Sequence, residues 1–152
     1  MEASPLEKAR LQAFRLLSLR ARSEKELRDR LSENHGRNVV DDVIGQLKEG
    51  GYLHDGHFAR ERARRLAVGQ MKGNRAIEAD LLQKGVDRTV IAEAIRAVRE
   101  ELSEPDAVRK LLEKKRSGLS SPPDLPRREK MKRYLLSKGF PAGLIFEILN
   151  ER

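Results

Sequence analysis

The sequence predicts an all-α protein made of three tandem three-helix repeats, stacked in an elongated, curved array of right- or left-handed sense. Apolar residues recur at three- and four-residue spacing along nearly the whole chain, which is the period of an amphipathic helix, whereas no stretch alternates as a strand does. Aromatic residues make up only 4% of the chain and Trp is absent. The core must therefore come from Leu, Ile, Val and Ala, a composition that favours helices.

The spacing predicts nine helices separated by short turns. They cover residues 6–20, 23–34, 39–49, 57–70, 74–84, 87–102, 104–116, 125–138 and 141–151. Ser23 and Glu26 have the spacing of a capping box, which satisfies free amide donors where a helix starts. Gly50 and Gly51 end the third helix because glycine tolerates the left-handed cap conformation. A linker is predicted at 117–124, since paired prolines and small polar residues cannot continue a helix.

Internal repetition divides the chain into predicted domains at 1–54, 55–103 and 104–152. The clearest copy is Leu82-Gln83-Lys84-Gly85-Val86, which matches Leu136-Ser137-Lys138-Gly139-Phe140. Residues 31–36 form a looser copy with a longer turn. One three-helix unit is too small to bury its apolar face alone, so each unit is expected to stack on its neighbour.

Composition also narrows the function classes. The chain has no Cys, which removes disulfides, thiolate metal sites and cysteine nucleophiles. Its longest apolar runs are about five residues, far below the roughly 20 that a bilayer span needs, and residues 2–10 carry no signal-like apolar run. The expected protein is soluble and cytoplasmic, with no membrane contact.

Positive charge is concentrated toward the C-terminal end. The net charge at pH 7 is +8, and residues 105–140 alone hold 11 bases against 4 acids. Such a region is the footprint of a protein that meets phosphates or an acidic protein surface. The alternative interpretation is that Lys and Arg only solvate helix faces, as charge runs often do.

Several short motifs, taken in order, resemble the RecX family of recombination regulators over roughly residues 13–149. They are Arg22-Ser23-Glu24-Lys25-Glu26-Leu27, then Gly51-Tyr52-Leu53-His54-Asp55 followed by Phe58-Ala59, and the junctions Lys84-Gly85 and Lys138-Gly139. His54 departs from the acid usual there. We expect the chain to be a monomer, because its repeats stack within one chain and leave no obvious heptad seam for a second copy. The resemblance implies a regulator in DNA repair and the SOS response. Such a regulator binds the groove of a RecA filament on single-stranded DNA and inhibits strand exchange, ATP hydrolysis and coprotease activity.

A first basic helix face is predicted around residue 60. If the helix at 57–70 packs through its apolar residues, its basic residues turn outward and only Glu61 opposes them. The residues expected to face inward are Ala59, Ala63, Leu66 and Ala67.

A second basic face is predicted in the third repeat. There the expected inward stripe is Met131, Tyr134 and Leu135, which would leave the neighbouring bases exposed. Both faces together give the candidate filament-binding or DNA-binding residues, with single- or double-stranded DNA as a second candidate partner. These residues are Arg60, Arg64, Arg65, Lys72, Arg75, Lys114, Lys115, Arg116, Arg127, Arg128, Lys130, Lys132 and Arg133. They could follow a phosphate backbone or an acidic filament groove.

The sequence predicts no enzyme and no cofactor. His54, Asp55 and His57 are too few for a metal site without a thiolate or another His nearby, so a capping or turn role is favoured. A catalytic serine is unsupported, because no Ser lies in the nucleophile-elbow pattern. A phosphate-binding loop is also unsupported, because Gly51 occupies the position at which that motif requires Lys.

The aromatic residues have two interpretations. Tyr52 and Phe58 could stack on bases, but a Gly-Tyr-Leu turn is more often a hydrophobic latch over a helix C-terminus. Tyr134 and Phe140 have the same ambiguity.

Two other function classes stay open. Each three-helix unit resembles a helix-turn-helix in outline, so a transcription regulator that reads duplex DNA is the first alternative, although no dimerisation segment is evident. An acid-base enzyme is the second, but nothing isolates one carboxylate from the other 23.

Overall fold

A computed structural model of the chain describes residues 2–116 and 125–151; the predicted linker at 117–124, the two terminal residues and the side chain of Arg116 lie outside the described part. Within the described ranges the regular structure is entirely helical. The α-helices are α1 Pro5–Leu19, α2 Glu24–Ser32, α3 Arg37–Glu49, α4 Asp55–Arg64, α5 Asn74–Gln83, α6 Arg88–Glu101, α7 Glu104–Arg116, α8 Leu125–Ser137 and α9 Ala142–Leu149. The predicted all-α class is confirmed.

Every predicted helix occurs, with shifts of a few residues at the ends. In the described part of the chain the helix type changes once, after α4, where Arg65–Gly69 forms a π-helical turn. The N–H of Gln70 donates to the carbonyl of Arg65 at 3.1 Å, and Met71 then adopts a φ of 52°. The apolar spacing continues through this segment, so the sequence pattern contained no sign of the wider turn.

The first of two compact units comprises Met1–Ala59 and Leu81–Ile91. In this unit α1, α2 and α3 pack on one another around an aliphatic core. The predicted capping box of Ser23 and Glu26 begins α2, because the Ser23 hydroxyl accepts from the Glu26 N–H while the Glu26 carboxylate accepts from the Ser23 N–H. The core residues are Ala9, Ala13, Leu16, Leu27, Leu31, Val40, Val43, Ile44, Leu47 and Leu53.

The second unit comprises Arg60–Asp80 and Ala92–Arg152. Here α9 packs against α7 and α8, and Leu135, Phe140 and Ile145 are completely buried. The division between the units falls inside α4, α5 and α6, so each of these helices contributes residues to both units.

A Lys-Gly turn packs against the start of an earlier helix in each unit. In the first unit the Ser23 hydroxyl, at the start of α2, donates to the carbonyl of Lys84 at 2.7 Å. In the second unit the N–H of Gly73, just before α5, donates to the carbonyl of Lys138 at 2.8 Å. The repeated motif that the sequence displays is therefore a repeated contact in the structure.

Glycine is required at these turns for its backbone conformation. Gly85 has a φ of +78° and Gly139 a φ of +99°, a region that residues with a Cβ rarely adopt. The N–H groups of Val86 and Phe140 then donate to carbonyls five residues earlier, which ends α5 and α8 with the same motif. The looser copy differs, because Gly36 has a φ of −72° and begins α3.

Carboxylates support the same helix starts. The Asp55 carboxylate accepts from the N–H of Glu24 at 2.8 Å, and the Glu104 carboxylate accepts from the N–H of Asn74 at 3.0 Å. Burial raises the pKa of Asp55, while the hydrogen bond from the Glu24 N–H opposes that shift. An acid on the first turn of α4 or α7 thus caps the start of α2 or α5.

Candidate basic binding surface

The first basic face lies on α4 and the π-helical turn. The predicted inward residues Ala59, Ala63, Leu66 and Ala67 are all buried. Arg60, Arg64 and Arg65 are exposed, as predicted from the 100° step of a helix. Their exposure leaves the guanidinium groups of Arg60 and Arg65 accessible to a partner.

An acid from another helix modifies this face. Arg64 donates to both carboxylate oxygens of Glu101 on α6, at 2.9 and 2.7 Å. This hydrogen bonding raises the pKa of Arg64 and lowers that of Glu101. The prediction that only Glu61 would oppose the face is wrong, because α6 brings in a carboxylate from 37 positions away.

Arg62 belongs to the same cluster in sequence but not in space. It is half-buried and makes a two-bonded pair with Asp80 on α5, with both N···O distances at 2.9 Å. Because two parallel hydrogen bonds join the planar guanidinium to the carboxylate, the pair fixes the relative orientation of the two side chains as well as balancing their charges. Arg62 therefore ties α4 to α5 within the second unit.

Lys72 and Arg75 flank the start of α5. Lys72 is half-buried and Arg75 is exposed. The carbonyl of Lys72 accepts from Arg99, which also donates to the Asn74 side chain and to the carbonyl of Leu102. Burial lowers the pKa of Arg99. Sequence reasoning missed Arg99, whose only signal was a base in the last turn of a strongly amphipathic helix.

The second basic face lies on α7 and α8. Lys114 and Lys115 are exposed, and the Lys115 ammonium lies 4.4 Å from the centre of the Tyr134 ring. Such a contact stabilises the cation over the negative face of the ring. The predicted site residue Arg116 ends α7, but its side chain lies outside the described residues.

The predicted α8 residues fall into two groups. Lys130 and Arg133 are exposed, as predicted, and so is Arg127. Lys132 is half-buried, so the prediction that it is exposed is wrong. Arg128 is also half-buried and donates to the Asn150 side chain at 2.8 Å. Leu135 is fully buried, while Met131 and Tyr134 are only half-buried and pack against the core of this unit.

A groove of about 290 Å³ separates parts of α7 and α8. Its lining residues are Leu111, Leu112, Lys115, Arg127, Lys130, Met131, Tyr134 and Leu135. The second basic face is therefore an indented surface with an apolar floor and cationic edges.

The remaining candidates have structural roles. The His54 ring nitrogen accepts from the N–H of His57 at 3.0 Å, which is the predicted cap at the start of α4. Phe58 and Phe140 are buried, which excludes them as base-stacking platforms. Tyr52 remains exposed beside Gly50 and meets Phe14 edge to face, with 5.0 Å between ring centres.

None of the helices in the described ranges combines the length and the apolarity needed to cross a bilayer.

Three family models match this chain, and each describes one three-helix domain of RecX. The first domain matches residues 9–47, the second 55–95 and the third 103–149. The predicted organisation in three-helix segments is therefore confirmed.

Relatives and solved structures carry the same description. The regulatory protein RecX of Amycolatopsis mediterranei is 30% identical over 145 residues, which cover 95% of this chain and 82% of the relative. That of Corynebacterium efficiens is 32% identical, with 93% and 70% covered, whereas this chain spans 54% of the relative from Oceanobacillus iheyensis. The crystal structure of RecX from Lactobacillus salivarius superposes with a TM-score of 0.82 at 25% identity and covers 95% of this chain. The chain belongs to the RecX family of regulatory proteins.

Proposed function

We propose that this protein is a negative regulator of homologous recombination that binds in the groove of the RecA nucleoprotein filament. Binding inhibits strand exchange, ATP hydrolysis and the coprotease activity of the filament. The observation that carries the proposal is the presence of exposed bases on two helix faces of a RecX-family chain. Arg60, Arg65, Lys130 and Arg133 are all exposed there.

The proposed mechanism is steric and needs no cofactor. Cationic faces approach the phosphates of the DNA or acidic side chains of adjacent recombinase protomers, and the bound chain obstructs changes in the filament. The protein acts in the cytoplasm as a monomer, in DNA repair and the SOS response. Direct contact with the DNA involves the same bases, since ammonium and guanidinium groups are the usual phosphate ligands.

Binding to the filament should weaken as salt is added. If the bases contact phosphates of a single strand, the slope of log affinity against log salt should be about −0.7 per contact, so six contacts would give roughly −4. The measurement is fluorescence anisotropy of the labelled chain on filaments preassembled on single-stranded DNA.

Filament integrity at each salt concentration is the control for this titration, followed by the ATPase rate without the added protein. A flat salt response would contradict an electrostatic interface and indicate that the binding surface is apolar.

A duplex-reading transcription regulator is the second candidate. The three-helix segments and the basic charge favour it, because a helix-turn-helix also presents basic residues beside a recognition helix. Sequence-specific retardation of duplex DNA in the absence of RecA would select this candidate.

A further inference from the structure

The groove between α7 and α8 has features that filament binding through charge alone does not require. Leu111, Leu112 and Leu135 are buried at its floor, and half-buried Met131 and Tyr134 complete the apolar lining. A surface that acted only on phosphates would need neither the indentation nor the apolar floor. The lining therefore favours a ligand with apolar side chains of its own.

The size of the groove limits the ligand. Sites for small molecules and cofactors occupy roughly 300–1,000 Å³, and this groove of about 290 Å³ lies just below that range. One or two apolar side chains of a peptide fill such a volume. Insertion of a few anchor side chains between two helices is a common mode of peptide recognition.

The charged residues at the groove indicate the net charge of the peptide that it would bind. Among the described residues, its lining includes three bases, Lys115, Arg127 and Lys130, and no carboxylate. The Lys115 ammonium lies over the Tyr134 ring, so the apolar floor and the cationic edge meet at one place. Carboxylates that flank an inserted apolar side chain would lie beside Lys115 and Lys130.

We propose that the groove between α7 and α8 binds an acidic amphipathic segment of a protein partner. One or two side chains of the Leu or Phe type enter between the helices, and flanking Asp or Glu residues pair with Lys115 and Lys130. The proposal rests on the proposed function only for the identity of the partner, because the recombinase would present the segment.

Peptide binding to the whole protein tests this inference without RecA. The probe is a fluorescent short peptide with two leucines flanked by glutamates, measured by anisotropy at low salt. One comparison peptide has lysines in place of the glutamates, and another has serines in place of the leucines. We expect saturable binding of the first peptide, and at least about tenfold weaker binding of each comparison peptide.

A matched pair of variants locates the site. Lys130→Glu should weaken binding of the acidic peptide by about 3-fold to 30-fold, because one attractive exposed charge becomes repulsive. Arg133→Glu makes the same charge change on the same helix at an exposed residue outside the groove lining, and it should change the affinity less than twofold. Met131→Ser should also weaken binding, with thermal unfolding measured for all three variants.

Four outcomes would overturn the inference. The first is that the acidic peptide does not bind, and the second is that the lysine peptide binds with equal affinity. The third is that Lys130→Glu and Arg133→Glu weaken peptide binding equally. The fourth is that sedimentation shows the chain self-associating and releasing the peptide as it does so. Tighter binding of a thymidine oligonucleotide to the same groove, lost in Lys130→Glu while the peptide fails to bind, would assign the groove to nucleic acid. Failure here leaves RecA inhibition intact, and failure of RecA inhibition leaves peptide binding intact, so the two proposals are separable.

Discussion

Replacing Gly139 with alanine should destabilise the protein by about 2 to 5 kcal/mol. Gly139 has a φ of +99°, where an added Cβ is strained. That Cβ would also lie 2.6 Å from both the backbone N and the Cβ of Ala76. Gly73 approaches from the same side, since a Cβ there would overlap the carbonyl of Gly139. These neighbours are backbone atoms and a Cβ fixed directly to the backbone, so they cannot move aside as the end of a flexible side chain could.

Gly45→Ala is the matched control. Gly45 is exposed within α3, and no neighbouring atom lies within 4 Å of an added Cβ. This variant should be more stable than the parent by about 0.5 to 1 kcal/mol, because alanine loses less backbone entropy in a helix. Urea unfolding followed by circular dichroism measures both. Equal stability of Gly139→Ala and the parent would show that the Lys-Gly turn does not hold the segments together.

Leu135→Ala should reduce the stability of the fold, whereas the double reversal of Lys130 and Arg133 to Glu should reduce filament binding and leave the stability nearly unchanged. Leu135 is fully buried, so its truncation should cost about 2 to 5 kcal/mol of unfolding free energy. The two bases are exposed, so their reversal should change stability by only about 0.5 kcal/mol. The reversal should nonetheless weaken filament binding strongly, because two attractive charges become repulsive against an anionic groove.

Thermal unfolding and RecA inhibition, measured for the same preparations, separate the two effects. Lys132 is left unchanged because its side chain is half-buried, and its substitution would mix packing with charge. If the double reversal melts like the parent and inhibits RecA fully, the exposed bases of α8 only solvate a surface, and their assignment to binding is wrong.

Local signals in the sequence predicted the helices well. The capping box at Ser23 and Glu26 and the left-handed glycine at Gly51, which follows α3, depend on interactions within a few residues. The buried face of each helix could be predicted for a similar reason, because the helical period determines which side chains lie on the same face. The repeat itself could be recognised because both copies of its turn need the same backbone conformation.

The sequence could not predict which charges neutralise one another. Arg64 meets Glu101 only because α4 and α6 are brought together, and nothing near Arg64 in the chain indicates that pairing. Arg99 likewise binds carbonyls that the fold assembles around it. Helical spacing placed Lys132 outside the core stripe, but its side chain is half-buried in the folded chain. Charge counts therefore overestimated the number of bases available to a partner, because some of them already pair with groups of the protein itself.

The domain boundaries at 54 and 103 stay a prediction. The boundaries of the compact units differ from those of the repeats, and the Lys-Gly contacts indicate why. The Lys-Gly turn of one three-helix segment packs on the start of a helix in the preceding segment. Residues 81–91 therefore group with the first three helices.

The RecA ATPase on single-stranded DNA tests the central claim most directly. Adding increasing amounts of the parent chain to preassembled filaments at low salt should reduce ATP hydrolysis in a saturable manner, with no change in the DNA-independent rate of RecA. Hydrolysis that stays constant at a large excess of folded protein, verified by circular dichroism, would contradict the proposed function.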